Sequence, residues 1–329
     1  MPFHILSLSG GGFLGYYAVC VLALLEQQAG RPIGRCFDLM AGTSVGGIIA
    51  ACLAADVSAQ DIKRAFEQNG QRIFSRRPGP QNAFAATLEM LRAVGRAKYN
   101  GHALRAAVDD MVGQNTRLAD LKRRLLVPVV NLTDGAAHVF KTPHHGDATA
   151  DAHVRVTDVA VATAAAPTYF AAVDIDGKRY ADGGLYLNAP DELALHGAVH
   201  ALGADVVHIC MLSVGTTTGH FYFPHKGRPD FGGYHWLYRD RLMKAIIGAQ
   251  QSHAVAVMRQ QVGPRYLRID AVKTPAQDKV LSLDVATDEA MHMLSALAAE
   301  SVAKVRDGAL LQDMLRYEAA STAFVNTQE

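Results

Sequence analysis

His4-Ile5-Leu6-Ser7-Leu8-Ser9-Gly10-Gly11-Gly12-Phe13-Leu14-Gly15 begins as a run of strand character and passes directly into a glycine cluster. The next residues, Tyr16 to Gln28, are helix formers with apolar side chains on most faces, the pattern of a buried helix. The sequence then repeats the device. Cys36 to Ala41 reads as a second strand, Gly42 to Gly47 as a second sharp turn, and Ile48 to Ala55 as a second buried helix. Strand, helix, strand, helix in this order predicts an α/β fold with a parallel sheet covered by helices.

Further along the chain, Ser58 to Val112 has a helical pattern, broken at Arg76-Arg77-Pro78-Gly79-Pro80. Arg124 to Leu132 and His138 to Lys141 read as strands around the turn signal Asp134-Gly135. Val156 to Ala166 is helical up to Pro167, and Ile175 to Tyr180 forms a hairpin leading into Asp182-Gly183-Gly184. Asp205 to Ser213 has the apolar content of a central strand. Tyr234 to Gln261 and Asp288 to Glu318 read as helices with a strand, Tyr266 to Ile269, between them. With no internal repeat or linker, a single domain over 1–329 is expected, with a motif-bearing core at about 4–216 and a helical part at about 217–329.

Composition narrows the function classes. Hydrophobic residues at 50% and charged residues at 19% fit a folded chain with a sizeable core rather than a disordered one. A formal net charge of +1 argues against DNA or RNA as a general partner, since phosphate binding needs a basic excess. Cys20, Cys36, Cys52 and Cys210 are scattered without CxxC spacing, so reduced, buried thiols are expected. No basic leader or signal-like apolar core is evident, and Ala18 to Leu25 is far short of the roughly 20 residues of a membrane span. A cytoplasmic chain with only peripheral membrane contact is the expectation.

Gly42-Thr43-Ser44-Val45-Gly46 fits G-x-S-x-G between a strand and a helix, the setting of a nucleophile elbow. The loop Gly10-Gly11-Gly12-Phe13-Leu14-Gly15 brings backbone N–H groups together at a positive helix end and therefore suits an anion. That anion is either a pyrophosphate or the oxyanion of an acyl intermediate. A dinucleotide site would place an acid at the end of the second strand. Here that position opens into Gly42-Thr43-Ser44, and Asp38 lies at the strand's start. Fourteen histidines, His208, His220 and His253 among them, are candidate bases for a Ser-His-Asp esterase, but none sits in a motif. Asp182-Gly183-Gly184 offers another partner, an acid at a strand end whose following glycines let it approach a hydroxyl closely.

The glycine loop, the G-x-S-x-G turn and the late Asp-Gly-Gly, in this order, resemble the three signatures of the patatin-like phospholipase family. Ala164-Ala165-Ala166-Pro167-Thr168-Tyr169-Phe170 and Leu212-Ser213-Val214-Gly215-Thr216 are similar to stretches of its bacterial members. The resemblance covers about Ile5 to Gly215. It implies a three-layer α/β/α patatin-like fold with a mainly parallel central sheet. It also implies that Ser44 attacks a fatty-acyl ester of a membrane phospholipid while Asp182 takes and returns the proton, without histidine, metal or cofactor. Gly10, Gly11 and Gly12 would be oxyanion donors, each worth about 3 to 4 kcal/mol, and Gly15, Gly42, Gly46, Gly183 and Gly184 complete the motifs. An aspartate of ordinary pKa, near 3.9, is a poor base, so a desolvated site that raises it is expected. The family commonly carries Arg or Lys before the last glycine of the loop, where this chain has Leu14.

Some similar bacterial enzymes are antiphage effectors switched on by cyclic dinucleotides. The resemblance therefore implies such an activator, with attack on the inner membrane as the outcome; a homo-oligomer is compatible with it. Arg76, Arg77, Arg92, Arg96 and Lys98 around Phe84, Leu88, Leu91 and Val94 fit either a basic amphipathic lid or a surface helix. His144, His145, Asp147 and His153 read as a solvated loop rather than a metal site, having no helical ligand spacing. Phe221, Tyr222, Phe223, Phe231, Tyr234, Trp236 and Tyr238 read as core packing or as a cap on an acyl pocket. A binding module that keeps the glycine loops without catalysis is the remaining class.

Overall fold

Strand β1 (Phe3–Leu8) is buried from His4 onward and carries apolar side chains to both faces. Leu6 and Leu8 join the larger of two hydrophobic clusters and Ile5 the smaller. A strand apolar on both sides belongs inside a covered sheet, and the computed structural model, which describes residues 2–74, 97–144, 146–217 and 241–324 with Gly232, Gly233 and Trp236, places it there. The other strands are β2 (Leu39–Gly42), β3 (Arg124–Asn131), β4 (Ala136–Lys141), β5 (Val173–Ile175), β6 (Lys178–Asp182), β7 (Ile209–Val214) and β8 (Tyr266–Ile269). Their order is β5-β6-β3-β2-β1-β7-β8, with β4 also paired to β3. The centre, β3-β2-β1-β7-β8, is parallel throughout, and the antiparallel pairs involve β4, β5 and β6.

Helices α1 (Gly15–Ala29), α2 (Val45–Ala54), α3 (Ala59–Ile73), α4 (His102–Val112) and α5 (Val156–Thr163) pack over one face through residues such as Leu22, Ile49, Ile62, Val108 and Val159. Two helices, α6 (Asp191–His196) and α7 (Arg241–Gln261), cover the other through Leu195 and Met258. The short α8 (Gln277–Val280) is followed by α9 (Asp288–Val305) and α10 (Ala309–Arg316), whose Leu294 and Leu311 return to the first face. This is the three-layer α/β/α arrangement that the family resemblance implies. α1 is buried almost all round, as a helix apolar on most faces must be. No described helix is long and apolar enough to cross a membrane.

Four expectations shift. Cys36 closes a 3-10 turn, Ile33–Cys36, pinned by the Glu26 carboxylate accepting from Ile33 N at 2.9 Å, so β2 starts only at Leu39. Asp205 caps the turn Val206–His208, its carboxylate accepting from Val207 N, and β7 begins at Ile209. Gly308 divides the expected helix 288–318 into α9 and α10. α6 has no counterpart in the sequence reading. The four cysteines are free thiols, Cys210 half-buried and the others buried.

The C-terminal third contributes to the sheet as well as to the helical layer. β8 extends it beside β7, and its buried Arg268 reaches across β7 toward β1. Nη1 donates to Ser9 Oγ at 3.0 Å and Ser213 Oγ at 2.8 Å, and Nη2 to Asp270 Oδ2 at 2.7 Å. Asp191, fully buried, accepts from Ser213 Oγ and the Tyr266 hydroxyl. Removing one member of a buried charged network leaves the rest uncompensated. Arg268→Ala should therefore lower unfolding stability by about 3 to 5 kcal/mol in urea denaturation.

Candidate active site

β1 and β2 pair in parallel with Leu8 opposite Gly42, so the turns that follow them leave the sheet side by side. This is the carboxyl edge of the strands, where open α/β sheets bind ligands. Ser44 caps α2 with φ 55° and ψ −128°, a conformation costing about 1 to 3 kcal/mol in a residue with a side chain. Such a turn fits only if its neighbours lack side chains. A Cβ at Gly46 would strike the Leu8 carbonyl, and one at Gly42 the Gly46 carbonyl. The strained turn is braced by hydrogen bonds. Ser44 N donates to Thr163 Oγ1 at 3.0 Å, Thr163 Oγ1 donates to the Pro128 carbonyl at 2.8 Å, and Thr43 Oγ1 donates to the Leu187 carbonyl at 2.7 Å.

Asp182 reaches Ser44 because β6 runs antiparallel to β3 and ends at this edge, with Asp182 opposite Val129. Gly183 lies against the Pro128 carbonyl, and Gly184 N donates to Asp182 Oδ1 at 2.7 Å. The Ser44 hydroxyl lies beside the same carboxylate. At 5% exposure with no cation among these neighbours, Asp182 is dominated by desolvation, which pushes its pKa up to about 7 against the smaller opposing pull of the Gly184 hydrogen bond and the nearby Ser44 hydroxyl. The sequence-based requirement for a raised carboxylate is met by burial.

The glycine loop corrects one expectation. Gly10 N is already committed, donating to the Asn188 carbonyl at 2.9 Å, so Gly10 leaves the donor set. Phe13 N is likewise spent, on the Leu283 carbonyl at 2.7 Å. Gly11 N and Gly12 N have no partner among the described residues, and both residues line the cavity that contains Ser44 and Asp182. Gly15 starts α1 against Val45 of the elbow.

Apart from Ser44, Asp182, Asn188, Tyr169 and the glycine backbone, the described lining of that cavity is apolar. Phe66, Ile73 and Phe74 come from α3 and its end, Leu104, Val108 and Met111 from α4, Phe170 from the loop before β5, and Ile247 from α7. No histidine lines it among the described residues. His253 pairs with Glu192 at 3.8 Å, and His208 sits where β7 begins, at the opposite end of the sheet. His220 lies outside the described residues. His153 Nε2 pairs with Asp176 Oδ2 at 2.9 Å and His144 Nδ1 with Thr142 Oγ1 at 2.7 Å, while His145 and the Asp147 side chain are outside the described set. Of the basic stretch only Lys98 is described, 2.6 Å from Asp284. Of the aromatic cluster only Trp236 is, and it does not line the cavity.

Sequence reasoning missed Thr163, Asn188 and Gln250. Asn188 Nδ2 donates to the Gly10 carbonyl at 3.2 Å, and Gln250 Nε2 donates to the Gly184 and Leu185 carbonyls, tying α7 to the Asp-Gly-Gly turn. A threonine closing the Ala-rich α5 was the one visible signal.

A family model described as patatin-like phospholipase matches residues 6–195. The chain belongs to the patatin-like phospholipase family. It is 37% identical to a cGAMP-activated phospholipase of Pseudomonas aeruginosa over 98% of its own length and 94% of that protein. Proteins of the same name from Vibrio cholerae and Escherichia coli are 34% and 33% identical, over 78% and 89% of this chain and 77% and 86% of theirs.

In this patatin-like site the raised Asp182 pKa also sets a stability profile. In the unfolded chain the carboxyl ionises near its ordinary 3.8, whereas in the fold it holds its proton to about 7. Native stability is therefore lost as pH rises from about 4 to 7 and is level above. Asp182→Asn keeps an acceptor for Gly184 N without the charge. Its gain over the parent should be absent at pH 4 and grow to at most about 4 kcal/mol at pH 8, about three pH units at 1.36 kcal/mol each, read as a Tm difference.

Proposed function

We propose that this chain is a lipid acyl hydrolase of the phospholipase A type that works through Ser44 and Asp182 and is switched on by a cyclic dinucleotide. The observation that carries the catalytic part is the buried Asp182 carboxylate, set beside Ser44 in one cavity and raised to about 7. A base poised near the working pH takes a proton far better than an ordinary carboxylate.

The Ser44 oxygen attacks the ester carbonyl as its proton passes to Asp182. The carbonyl oxygen becomes an oxyanion facing Gly11 N and Gly12 N, the latter among the unsatisfied donors at the start of the helix. Collapse breaks the ester bond, and the departing lysophospholipid oxygen takes the proton from Asp182. Water then gives its proton to Asp182, attacks the acyl-serine, and releases the fatty acid with Ser44 reprotonated. The apolar walls from α3, α4 and α7 hold the acyl chain out of water and keep Asp182 desolvated.

The regulatory part rests on the three relatives named as cGAMP-activated phospholipases, the first aligned over nearly the whole of both chains. Such a switch suits an effector that stays silent in the cytoplasm and turns on the cell's own membrane by peripheral docking, with the whole chain acting as one domain.

Fatty-acid release from phospholipid vesicles tests both parts. Ser44→Ala and Asp182→Asn should each reduce release by at least 1,000-fold with the fold retained. For the parent, kcat/KM should fall about tenfold per pH unit below 7, as Asp182 becomes protonated. An Asp182→Asn enzyme of normal rate would rule out the carboxylate as base. Adding cGAMP should raise the rate; a rate unchanged across a panel of cyclic dinucleotides would remove the proposed activator and leave the catalytic pair standing.

A further inference from the structure

Leu212-Ser213-Val214-Gly215-Thr216, a stretch the catalytic pair does not use, ends beside the glycine loop. Thr216 is fully buried, and its Oγ1 donates to the Gly10 carbonyl at 2.7 Å. The same carbonyl accepts from Asn188 Nδ2 at 3.2 Å. Two side-chain donors from segments remote in sequence thus converge on one backbone oxygen.

In a trans peptide the C=O and the following N–H point in opposite directions. Holding the Gly10 carbonyl toward Thr216 and Asn188 therefore turns Gly11 N the other way, and Gly11 lines the cavity beside Ser44. The next peptide is fixed by the same logic, because the Gly11 carbonyl accepts from Leu14 N at 3.1 Å and so directs Gly12 N away from α1. A bare glycine loop would sample many orientations, and a donor contributes to catalysis when it is aimed before charge develops.

We infer that Thr216 and Asn188 are positioning residues, which hold the Gly10–Gly11 peptide so that Gly11 N faces the developing oxyanion. This rests on the proposal that Ser44 attacks an ester carbonyl. Losing an oxyanion donor costs about 100- to 1,000-fold in kcat, and a donor left in place but released from its brace should cost less, about 10- to 100-fold.

The test is steady-state kinetics of the full chain on phospholipid vesicles and on a short soluble p-nitrophenyl ester. Thr216→Val, which keeps the shape and removes the hydroxyl, should lower kcat about 10- to 100-fold on both substrates, with KM within about threefold and the pH midpoint near 7 unmoved. Thr216→Ser should restore kcat to within about threefold, since it restores the donor. Asn188→Ala, an independent probe, should lower kcat about 5- to 10-fold in the same manner. Full kcat in Thr216→Val, an equal loss in Thr216→Ser, or a loss confined to KM would overturn the assignment of Thr216. If Thr216→Val has no cooperative thermal transition, Asn188→Ala and Thr216→Ser decide, and a parental kcat in Asn188→Ala overturns the paired brace. An active Ser44→Ala enzyme would instead sink the nucleophile, an outcome distinct from each of these.

Discussion

Parallel pairing of β1 with β2, in the register that sets Leu8 opposite Gly42, is the constraint on which the site depends. It lets two turns far apart in composition emerge at one edge, a donor loop from the first and a hydroxyl-bearing elbow from the second. Gly46 transmits the constraint, since its Cα rests on the Leu8 carbonyl at the end of β1. The elbow is thus built against the neighbouring strand as well as on its own. A register slip of one residue would move Ser44 away from Gly11 and Gly12 and reverse which face of β1 meets each core.

The second organising effect is dielectric. One apolar cavity meets two needs, since the surroundings that favour an acyl chain also penalise a bare carboxylate. Gly184 N donates to Asp182 and the Ser44 hydroxyl lies beside it, and burial outweighs the pull of both. An arginine placed here would have steadied the site and weakened the base. A buried cation, Arg268, is instead kept on β8, two strands beyond β1, where Asp270 and Asp191 balance it.

How much of this the sequence revealed follows from how local each signal was. Ser44 and the glycine loop lay in contiguous motifs with steric reasons of their own, and the layered α/β fold followed from two successive strand-turn-helix units. Asp182 became visible through family resemblance rather than spacing. That it sits on an antiparallel strand depends on β6 pairing with β3, where its partner Val129 is 53 residues away in the chain. The loss of Gly10 as a donor was not legible either, since the Asn188 carbonyl that claims it is separated from it by 178 residues. Thr163 and Gln250 act through single contacts that leave no pattern in the chain. Gly308 was a visible breaker whose weight the surrounding helical pattern concealed.

The central place of β1 bears on how the chain can be divided. The family model spans 6–195 and stops short of both β7 and β8. A fragment cut at that limit would keep the elbow and the Asp-Gly-Gly turn, yet it would expose one whole side of Phe3–Leu8 as a naked row of N–H and C=O groups. It would also lose Leu283, which takes the Phe13 N–H beside the donor loop. Such a piece would be a sticky edge inviting other chains to add to it, so the boundary of the shared motifs is not a place where this polypeptide can be parted.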